Sequence, residues 1–405
     1  MKNDTRAPFL PLEGGKPEEL FAELKTPAYV IDEKQLAKNG EILASVIKKT
    51  GCKILLAQKA FSNFNFYPLL SEYLSGTEAS GLFEARLGHE EMPEKEVHVF
   101  CGAYREDEFD ELLSYADHIV FNSIAQLKKF GAKAKEAGKS TGLRINPERS
   151  TQEGHAIYDP CSPGSRLGVT REVWDEEMTE EVFSLLDGLH FHTLCEQNSD
   201  DLKTTLEAVS EKFGDIMPSM KWVNMGGGHH ITRADYDIET LCSCIEFAKK
   251  EWNVEVYLEP GEAVALNAGF MVTRVLDVVK NGSMKIAILD SSAACHMPDV
   301  IEMPYTPPLY NASEEEEEGR GFLYRLGGPT CLSGDVTGDY YFPCELKEGD
   351  ILTFGDMAIY TTCKNNTFNG MPLPDIYKWD MDRNFSKITN FGYLDFKFRL
   401  GRKTS

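Results

Sequence analysis

The chain has 405 residues, more than one domain usually contains, and its 42% hydrophobic and 26% charged residues are typical of a globular protein. Its 42 Lys and Arg against 65 Asp and Glu leave a formal net charge of −23, which argues against a nucleic-acid or anionic-membrane surface. This charge favours a cationic ligand, or serves solubility alone. No apolar run reaches the ~18 residues of a membrane span, and the opening residues lack a signal-peptide core, so we expect a cytoplasmic protein. The ten cysteines show no CxxC pairing and predict reduced thiols, with neither disulfides nor a metal site.

Short apolar runs that are typical of buried strands alternate with helical patterns between residues 53 and 259. Alternating strands and helices imply parallel pairing, and eight units over roughly 200 to 250 residues fit a closed β/α barrel better than an open sheet. The second run is weak, and a Pro- and Gly-rich insertion covers residues 147–170. The predicted strands are KILLA (53–57), SGTEAS (75–80), VHVF (97–100), HIVF (118–121), GLRI (142–145), GLHFH (188–192), KWVNM (221–225) and VEVYLE (254–259).

Beyond residue 270 the sequence shows β-type runs separated by turn residues, with almost no helical periodicity. The runs are MVTRVLDVV, MKIAILD, GFLYRLGG, DYYFPCELKEGDILTF and AIYTTC. The predicted fold class is therefore α/β, a (β/α)8 TIM-type barrel with a C-terminal antiparallel β-domain. We place the barrel at residues 30–270 and the β-domain at residues 1–29 and 271–405.

Functional residues of such a barrel lie at the carboxyl ends of its strands, whereas the opposite face is structural. A lysine that is partly desolvated there can present a neutral amine to an aldehyde. Glycines after the seventh strand would let backbone N–H groups approach a phosphate, and a carboxylate after the eighth could keep a pyridine nitrogen protonated. For each residue alone a place on the surface or rim is the simpler interpretation. The residues at the eight ends are Lys59, Glu78, Cys101, Asn122, Arg144, His192, Gly226 to Gly228, and Glu259.

A lysine, a phosphate loop and a carboxylate of this kind together describe a site for pyridoxal 5'-phosphate. The sequence resembles the barrel-fold pyridoxal-phosphate enzymes, which include alanine racemase, ornithine decarboxylase and diaminopimelate decarboxylase, over nearly its whole length. Alanine racemases lack two of the matching blocks, GGPTCLSGD (327–335) and DMAIYTT with FNG (356–370), so the resemblance implies the decarboxylase branch. Within that branch the sequence is most similar to the carboxynorspermidine/carboxyspermidine decarboxylases. The other matching motifs are AQKA at Lys59, HxxC at His192 and Cys195, GGG at 226–228, and EPG at 259–261.

The resemblance implies a role for each matching position. Lys59 would bind the cofactor covalently, His192 would stack on its ring, and Glu259 would pair with its nitrogen. Cys331 would return a proton after carbon dioxide leaves, and in relatives the other subunit donates it, which implies a head-to-tail homodimer with shared sites. The backbone of the three glycines, with Tyr360, would bind the phosphate, and Cys195 stands where relatives often have a phosphate-binding serine. The predicted cofactor-binding residues are Lys59, Arg144, His192, Cys195, Gly226, Gly227, Gly228, Glu259 and Tyr360.

Two departures from the family pattern concern the far end of the substrate. Relatives that act on ornithine or diaminopimelate usually read EPGR, where this chain has Glu262, and ornithine-type enzymes follow the cysteine with aspartate, where it has Leu332. Both changes suit a longer carboxylated polyamine, whose ammonium groups carboxylates would bind. We nominate Glu262, Asp299 and Asp335 for this role, although a loop or cap function explains the two aspartates equally well.

The predicted function is removal of the α-carboxyl group of carboxynorspermidine or carboxyspermidine to give norspermidine or spermidine, a step of polyamine biosynthesis. A diaminopimelate decarboxylase or another basic amino-acid decarboxylase is the nearest alternative. An inactive decarboxylase-like regulator or cofactor-binding protein is an alternative of another class, although such regulators tend to lose the residues that here are Lys59 and Cys331. The two triamines differ by one methylene, which a pocket distinguishes by only ~1 to 3 kcal/mol, so the preference between them stays open.

Overall fold

The structure, a computed structural model, describes residues 12, 15–152 and 159–402. The opening residues, in which the sequence shows no signal-peptide core, lie outside this range, as do residues 153–158 of the predicted insertion. Contacts divide the described residues into two units, which we call the barrel unit (residues 37–264) and the sheet unit (residues 12, 15–36 and 265–402). The first elements, helix α1 (Pro17–Leu20) and strand β1 (Ala28–Asp32), belong to the sheet unit.

Eight parallel strands close into a barrel in the order in which they occur in the chain, with the last strand paired to the first. The predicted barrel is confirmed, since all eight of its predicted strands are present, including the weak second one, whose four residues are all buried. The strands are β2 (Lys53–Ala57), β3 (Gly76–Ala79), β4 (Glu96–Phe100), β5 (His118–Phe121), β6 (Ser140–Arg144), β7 (Gly188–His190), β8 (Trp222–Asn224) and β9 (Glu255–Leu258).

Helices follow the strands, and several begin at a side chain that caps the first turn. Ser123, Thr170 and Asp237 each accept a hydrogen bond from the backbone N–H three residues later, which satisfies a donor that the first helical turn leaves free. The helices are α2 (Glu33–Thr50), α3 (Tyr67–Ser71), α4 (Leu82–Glu91), α5 (Glu106–Leu113), α6 (Ile124–Glu136), α7 (Arg171–Glu177), α8 (Glu180–Phe183), α9 (Ser199–Phe213), α10 (Ile238–Trp252) and α11 (Glu262–Ala265).

The sheet unit contains a mostly antiparallel sheet, ordered β13-β12-β11-β10-β1-β15-β16, with β14 paired to β10. Two neighbouring pairs, β1 with β15 and β11 with β12, are parallel, because long connections return the chain in the same direction. The further strands are β10 (Gly269–Asn281), β11 (Met284–Leu289), β12 (Phe322–Gly327), β13 (Val336–Phe342), β14 (Ile351–Gly355), β15 (Asp375–Trp379) and β16 (Phe385–Thr389).

One predicted strand of the sheet unit is wrong. AIYTTC does not continue as a strand because Tyr360 has a φ of 57°, in the left-handed region, after which the chain turns into a helix at Thr361. The expectation of almost no helices is also wrong, since short helices stand between the strands and after the last one. They are α12 (Ala293–His296), α13 (Asp299–Glu302), α14 (Thr361–Lys364) and α15 (Tyr393–Leu400).

Each unit has an apolar core of its own. In the barrel unit Leu55, Val120, Trp222 and Tyr257 pack together as one buried cluster. In the sheet unit Phe21, Phe270 and Trp379 are buried together, with edge-on or tilted ring contacts at centroid distances of 5.8 to 6.2 Å. Among the residues described, no helix combines the length and apolar character that crossing a membrane requires.

Candidate active site

A buried carboxylate lies directly after the last barrel strand. Glu259 accepts a hydrogen bond on Oε1 from Asn224 Nδ2, and its Oε2 lies 3.1 Å from Nε2 of His190. Burial opposes ionisation of Glu259, but the interactions with His190, and more weakly the charges of His98 and Lys59, outweigh it and lower the pKa of the carboxyl. The barrel strands therefore hold an ionised carboxylate between an imidazole and an amide.

A second buried carboxyl, Glu78 in β3, behaves in the opposite way. Burial and the negative charge of Glu259 raise its pKa to about 8, although the charges of Lys59 and Arg144 oppose this. Its Oε2 has no hydrogen-bond partner among the described residues. Near pH 7 the site thus contains one ionised and one neutral carboxyl group.

The charge of Lys59 acts on the imidazole of His192. Lys59 is half-buried, and the preceding residue Gln58 anchors it to the barrel, because the Gln58 side chain accepts from Tyr67 Oη and donates to the backbone oxygen of Glu84. Burial, followed by the charge of Lys59, lowers the pKa of His192 well below its ordinary value. His192 Nδ1 accepts a hydrogen bond from Gly227 N–H, so its ring is neutral and carries its proton on Nε2.

The glycine loop after β8 is packed too tightly to accept side chains. Gly226 and Gly228 have φ values of 70° and 80°, and a Cβ on Gly228 would lie 2.1 Å from the backbone oxygen of Leu194. The N–H groups of Gly226 and Gly227 donate to Asn224 Oδ1 and His192 Nδ1, at 2.9 and 3.2 Å. Of the backbone donors expected to bind a phosphate, Gly228 N–H alone has no acceptor among the described residues.

Arg144 and Cys195 complete the predicted cofactor residues of the barrel unit. Arg144 is buried and donates to the backbone oxygen of His192 at 3.1 Å, and its guanidinium carbon lies 4.6 Å from the ring centroid of Phe100. Burial lowers the pKa of Arg144 to about 10, so it stays charged at neutral pH. Burial, with the charges of Glu262 and Glu196, raises the pKa of the Cys195 thiol to about 12, so this thiol stays protonated.

Glu262, at the start of α11, belongs to a second cluster in the barrel unit. Its Oε2 lies 2.9 Å from Nε2 of His230, and Glu196 brings a carboxylate oxygen within 4.8 Å of both. Burial opposes protonation of His230, but Glu262 and Glu196 outweigh it and raise its pKa. Two carboxylates face one imidazole here, so the cluster keeps a negative charge even when His230 is protonated.

The two predicted substrate aspartates of the sheet unit have partners within that unit. Asp335 is buried, and its carboxylate accepts from Ser292 Oγ at 2.9 Å, Thr330 Oγ1 at 2.6 Å and the backbone N–H of Ala294 at 3.2 Å. Asp299 forms an ion pair with Lys364. These contacts favour the loop or cap interpretation of both residues.

The two remaining predicted residues also lie in the sheet unit. Cys331 is exposed in the loop between β12 and β13, and its backbone N–H donates to Asn369 Oδ1 at 2.8 Å. Tyr360 is half-buried in its left-handed conformation directly before α14.

The structure thus groups most of the predicted residues in one unit and adds two that do not stand out in the sequence. Lys59, Arg144, His192, Cys195, the three glycines, Glu259 and Glu262 all belong to the barrel unit. His190 and Asn224 are the additions. The signal that could have found them is a polar residue inside an apolar strand, and for His190 also its position two residues before His192, on the same side of the strand.

Comparison with known proteins gives a consistent match. The family model described as pyridoxal-dependent decarboxylase, C-terminal sheet domain, matches residues 28–358. A carboxynorspermidine/carboxyspermidine decarboxylase of Campylobacter jejuni is 43% identical over 94% of this chain and 99% of its own length. A carboxyaminopropylagmatine decarboxylase of Synechocystis is 37% identical over 94% of this chain and 97% of its own.

A solved structure agrees with these sequence matches. The carboxynorspermidine decarboxylase of Campylobacter jejuni, in complex with norspermidine, superposes with a TM-score of 0.86 at 42% identity, covering 93% of this chain and 100% of that one. The resemblance that the sequence motifs indicate is therefore confirmed.

Proposed function

Because this chain belongs to the pyridoxal-dependent decarboxylase family, we propose that it binds pyridoxal 5'-phosphate in the barrel unit and decarboxylates carboxynorspermidine or carboxyspermidine. The observation that carries the substrate class is the 43% identity, over almost the whole chain, to a relative named for these two substrates. The products would be norspermidine and spermidine.

The residues of the barrel unit fit this cofactor. Glu259 uses two of about four acceptor sites on its carboxylate, which leaves capacity for the N–H of a protonated pyridine ring. Gly228 N–H has no acceptor among the described residues and suits a phosphate oxygen. When bound, pyridoxal phosphate supplies the electron sink that takes up the electrons left by the departing carboxyl group.

The chain's own residues would bind the cofactor and orient it. Lys59 would hold the cofactor through its side-chain amine, and the α-amine of the substrate would take the place of that amine. His192, a neutral ring fixed by the Gly227 N–H, would cover one face of the cofactor without adding charge. Arg144 fixes the backbone of His192 through its hydrogen bond to that residue's oxygen, and Tyr360 and Cys195 remain candidates for contacts to the phosphate.

We further propose a homodimer in which Cys331 of one subunit serves the site of the other. Cys331 has an exposed thiol, and its backbone N–H is held by Asn369, so the thiol is suited to donate a proton to the α-carbon after the carboxyl group leaves.

For the far end of the substrate we retain Glu262 as the favoured ammonium-binding residue. Its side chain is 16% exposed and belongs to a cluster with net negative charge, whereas Asp335 is buried and accepts three hydrogen bonds, and Asp299 is paired with Lys364. We expect Glu262→Gln to raise KM for a carboxylated triamine by about tenfold with a small change in kcat, since one charge-assisted contact is lost. Asp299→Asn is the matched control and should leave KM unchanged.

A carbon-dioxide release assay tests the function. Purified protein should act on carboxynorspermidine and carboxyspermidine, and should be compared on carboxyaminopropylagmatine, ornithine and meso-diaminopimelate. Turnover of diaminopimelate alone would replace the substrate assignment with that of the nearest alternative. Borohydride reduction should attach the cofactor to the peptide containing Lys59. Attachment at another lysine, or none, would contradict the proposed chemistry.

A further inference from the structure

The carboxylate of Glu259 is held by one protein donor on each oxygen. We infer that His190 and Asn224 are positioning residues that keep Glu259 ionised and correctly oriented towards the cofactor's ring nitrogen. The inference rests on the proposed function, and it assigns a task to two buried residues that touch Glu259 and belong to two other barrel strands, β7 and β8.

The protonation state of His190 follows from its surroundings. Burial lowers the pKa of His190, although Glu259 opposes this, so the ring is neutral at pH 7. Its Nδ1 is buried without a partner among the described residues, so the proton belongs on Nε2, which faces Glu259 at 3.1 Å. A neutral donor leaves the carboxylate its full charge, whereas an imidazolium would compensate it.

The orientation of the Asn224 amide is determined by its second contact. Asn224 Oδ1 accepts the N–H of Gly226 at 2.9 Å, so the amide nitrogen must be the atom that faces Glu259. The Asn224 side chain thereby connects Glu259, which would face the ring nitrogen, with the glycine loop, which would bind the phosphate. A change at Asn224 should therefore disturb both ends of the cofactor site.

Stacking fixes the His190 ring. Its centroid lies 5.3 Å from that of Phe100 with 29° between the planes, and the Phe100 ring also contacts the Arg144 guanidinium. Neither the imidazole nor the amide can turn from Glu259 without breaking another contact. His190 and Asn224 are thus held in place around Glu259 before any ligand binds, as expected of groups that support a functional carboxylate.

A pair of substitutions at His190 tests this role. His190→Gln keeps an N–H donor of similar reach, whereas His190→Leu removes it. For His190→Leu we expect the dissociation constant of pyridoxal phosphate for the apoprotein to rise about 10- to 100-fold, as for a lost hydrogen bond to a charged group. The acidic limb of kcat against pH should move upward, because Glu259 protonates more easily. His190→Gln should recover most of both properties.

The chain offers a matched control at His98. This ring is as buried as His190, and its Nε2 lies at the same distance, 3.1 Å, from a carboxylate oxygen, that of Glu96 at the start of β4. His98 makes no hydrogen bond to Glu259 but its charge acts on that carboxyl, so the control is read on cofactor binding: His98→Leu should change stability without changing the cofactor dissociation constant. Equal effects at both histidines would contradict a specific role of His190, and so would a His190→Leu protein with unchanged cofactor binding.

A second variant covers the case in which His190→Leu does not fold. Asn224→Leu keeps the approximate size of the side chain but offers no donor to Glu259 and no acceptor to Gly226 N–H, so it should weaken cofactor binding by about tenfold or more. Wild-type affinity in this variant would overturn the inference. If the wild-type protein itself binds no pyridoxal phosphate, the proposed function is wrong. That outcome differs from one in which the wild type binds the cofactor but the variants at His190 and Asn224 bind it equally well.

Discussion

The backbone N–H of Cys331 donates a 2.8 Å hydrogen bond to the side-chain carbonyl of Asn369. This bond joins two sequence blocks, GGPTCLSGD and FNG, that are 38 residues apart at the bonded positions. Asn369 has a φ of 59°, a conformation that asparagine adopts more readily than most residues. A short FNG motif therefore anchors the backbone of the loop at Cys331.

Asn369→Ala should reduce turnover by about tenfold, since the loop that carries Cys331 loses one neutral hydrogen bond, worth about 1 kcal/mol, and its fixed position. Cofactor binding, measured by fluorescence titration, should stay unchanged. Asn311→Ala is the control, because Asn311 is also an asparagine of the sheet unit at positive φ, 61°, with a side-chain hydrogen bond to Glu18. A similar loss of turnover in both variants would show that the Cys331 contact is not responsible.

Cys331→Ala should retain cofactor binding and lose most turnover, by about 100-fold or more, because a general acid contributes about 10²- to 10⁴-fold. Cys344→Ala removes another exposed thiol of the sheet unit and should have no effect on the rate. The measurement is kcat for carbon-dioxide release from a carboxylated triamine. An unaffected rate in Cys331→Ala would remove the proton-donor role.

Gly228→Ala should weaken cofactor binding by about tenfold or more, because the new Cβ meets the Leu194 oxygen and a non-glycine residue at positive φ costs about 1 to 2 kcal/mol. The loop must move, and Gly228 N–H moves with it. Gly102→Ala, where a Cβ would meet nothing within 4 Å, is the matched control in the same unit. The measurement is the dissociation constant of inorganic phosphate and of pyridoxal phosphate for the two apoproteins. Both ligands should bind more weakly to Gly228→Ala than to Gly102→Ala.

Glu78→Gln should change how stability depends on pH. The pKa of Glu78 is about 8 in the folded chain against an ordinary 4.5, so between these values the unfolded state releases a proton that the folded state keeps. Stability therefore falls as pH rises through this window, by at most about 5 kcal/mol, since one pKa unit is worth about 1.4 kcal/mol. The substitution removes this contribution.

The free energy of urea unfolding, measured from pH 5 to 8, checks this prediction. The wild-type value should decline more steeply with pH than that of Glu78→Gln, so the variant should gain relative stability towards pH 8. Glu94→Gln, at an exposed carboxyl, should follow the wild-type slope. Parallel slopes for all three proteins would show that Glu78 ionises normally.

The barrel and the positions of its functional ends could be predicted from the sequence because both depend on local pattern. Apolar runs alternate with helical periodicity, and Lys59, His192 and Glu259 lie at the ends of such runs or within two residues of them. In a parallel barrel all these ends meet at one face, so topology alone brings the residues together. The failure at AIYTTC has a local cause too, since the positive φ of Tyr360 leaves no trace in hydrophobic alternation.

Only the tertiary structure decided which polar groups of the site are already hydrogen-bonded within the protein and which can still bind a ligand. Glu259 meets Asn224 and His190 across 35 and 69 residues of sequence, and Gly226 and Gly227 donate their N–H groups to the side chains of Asn224 and His192. By itself the sequence determined the fold class and the residues at the strand ends, because chain order and periodicity suffice for those. Charge states and hydrogen-bond partners depend on burial and on distances between segments far apart in the chain, which no local pattern encodes.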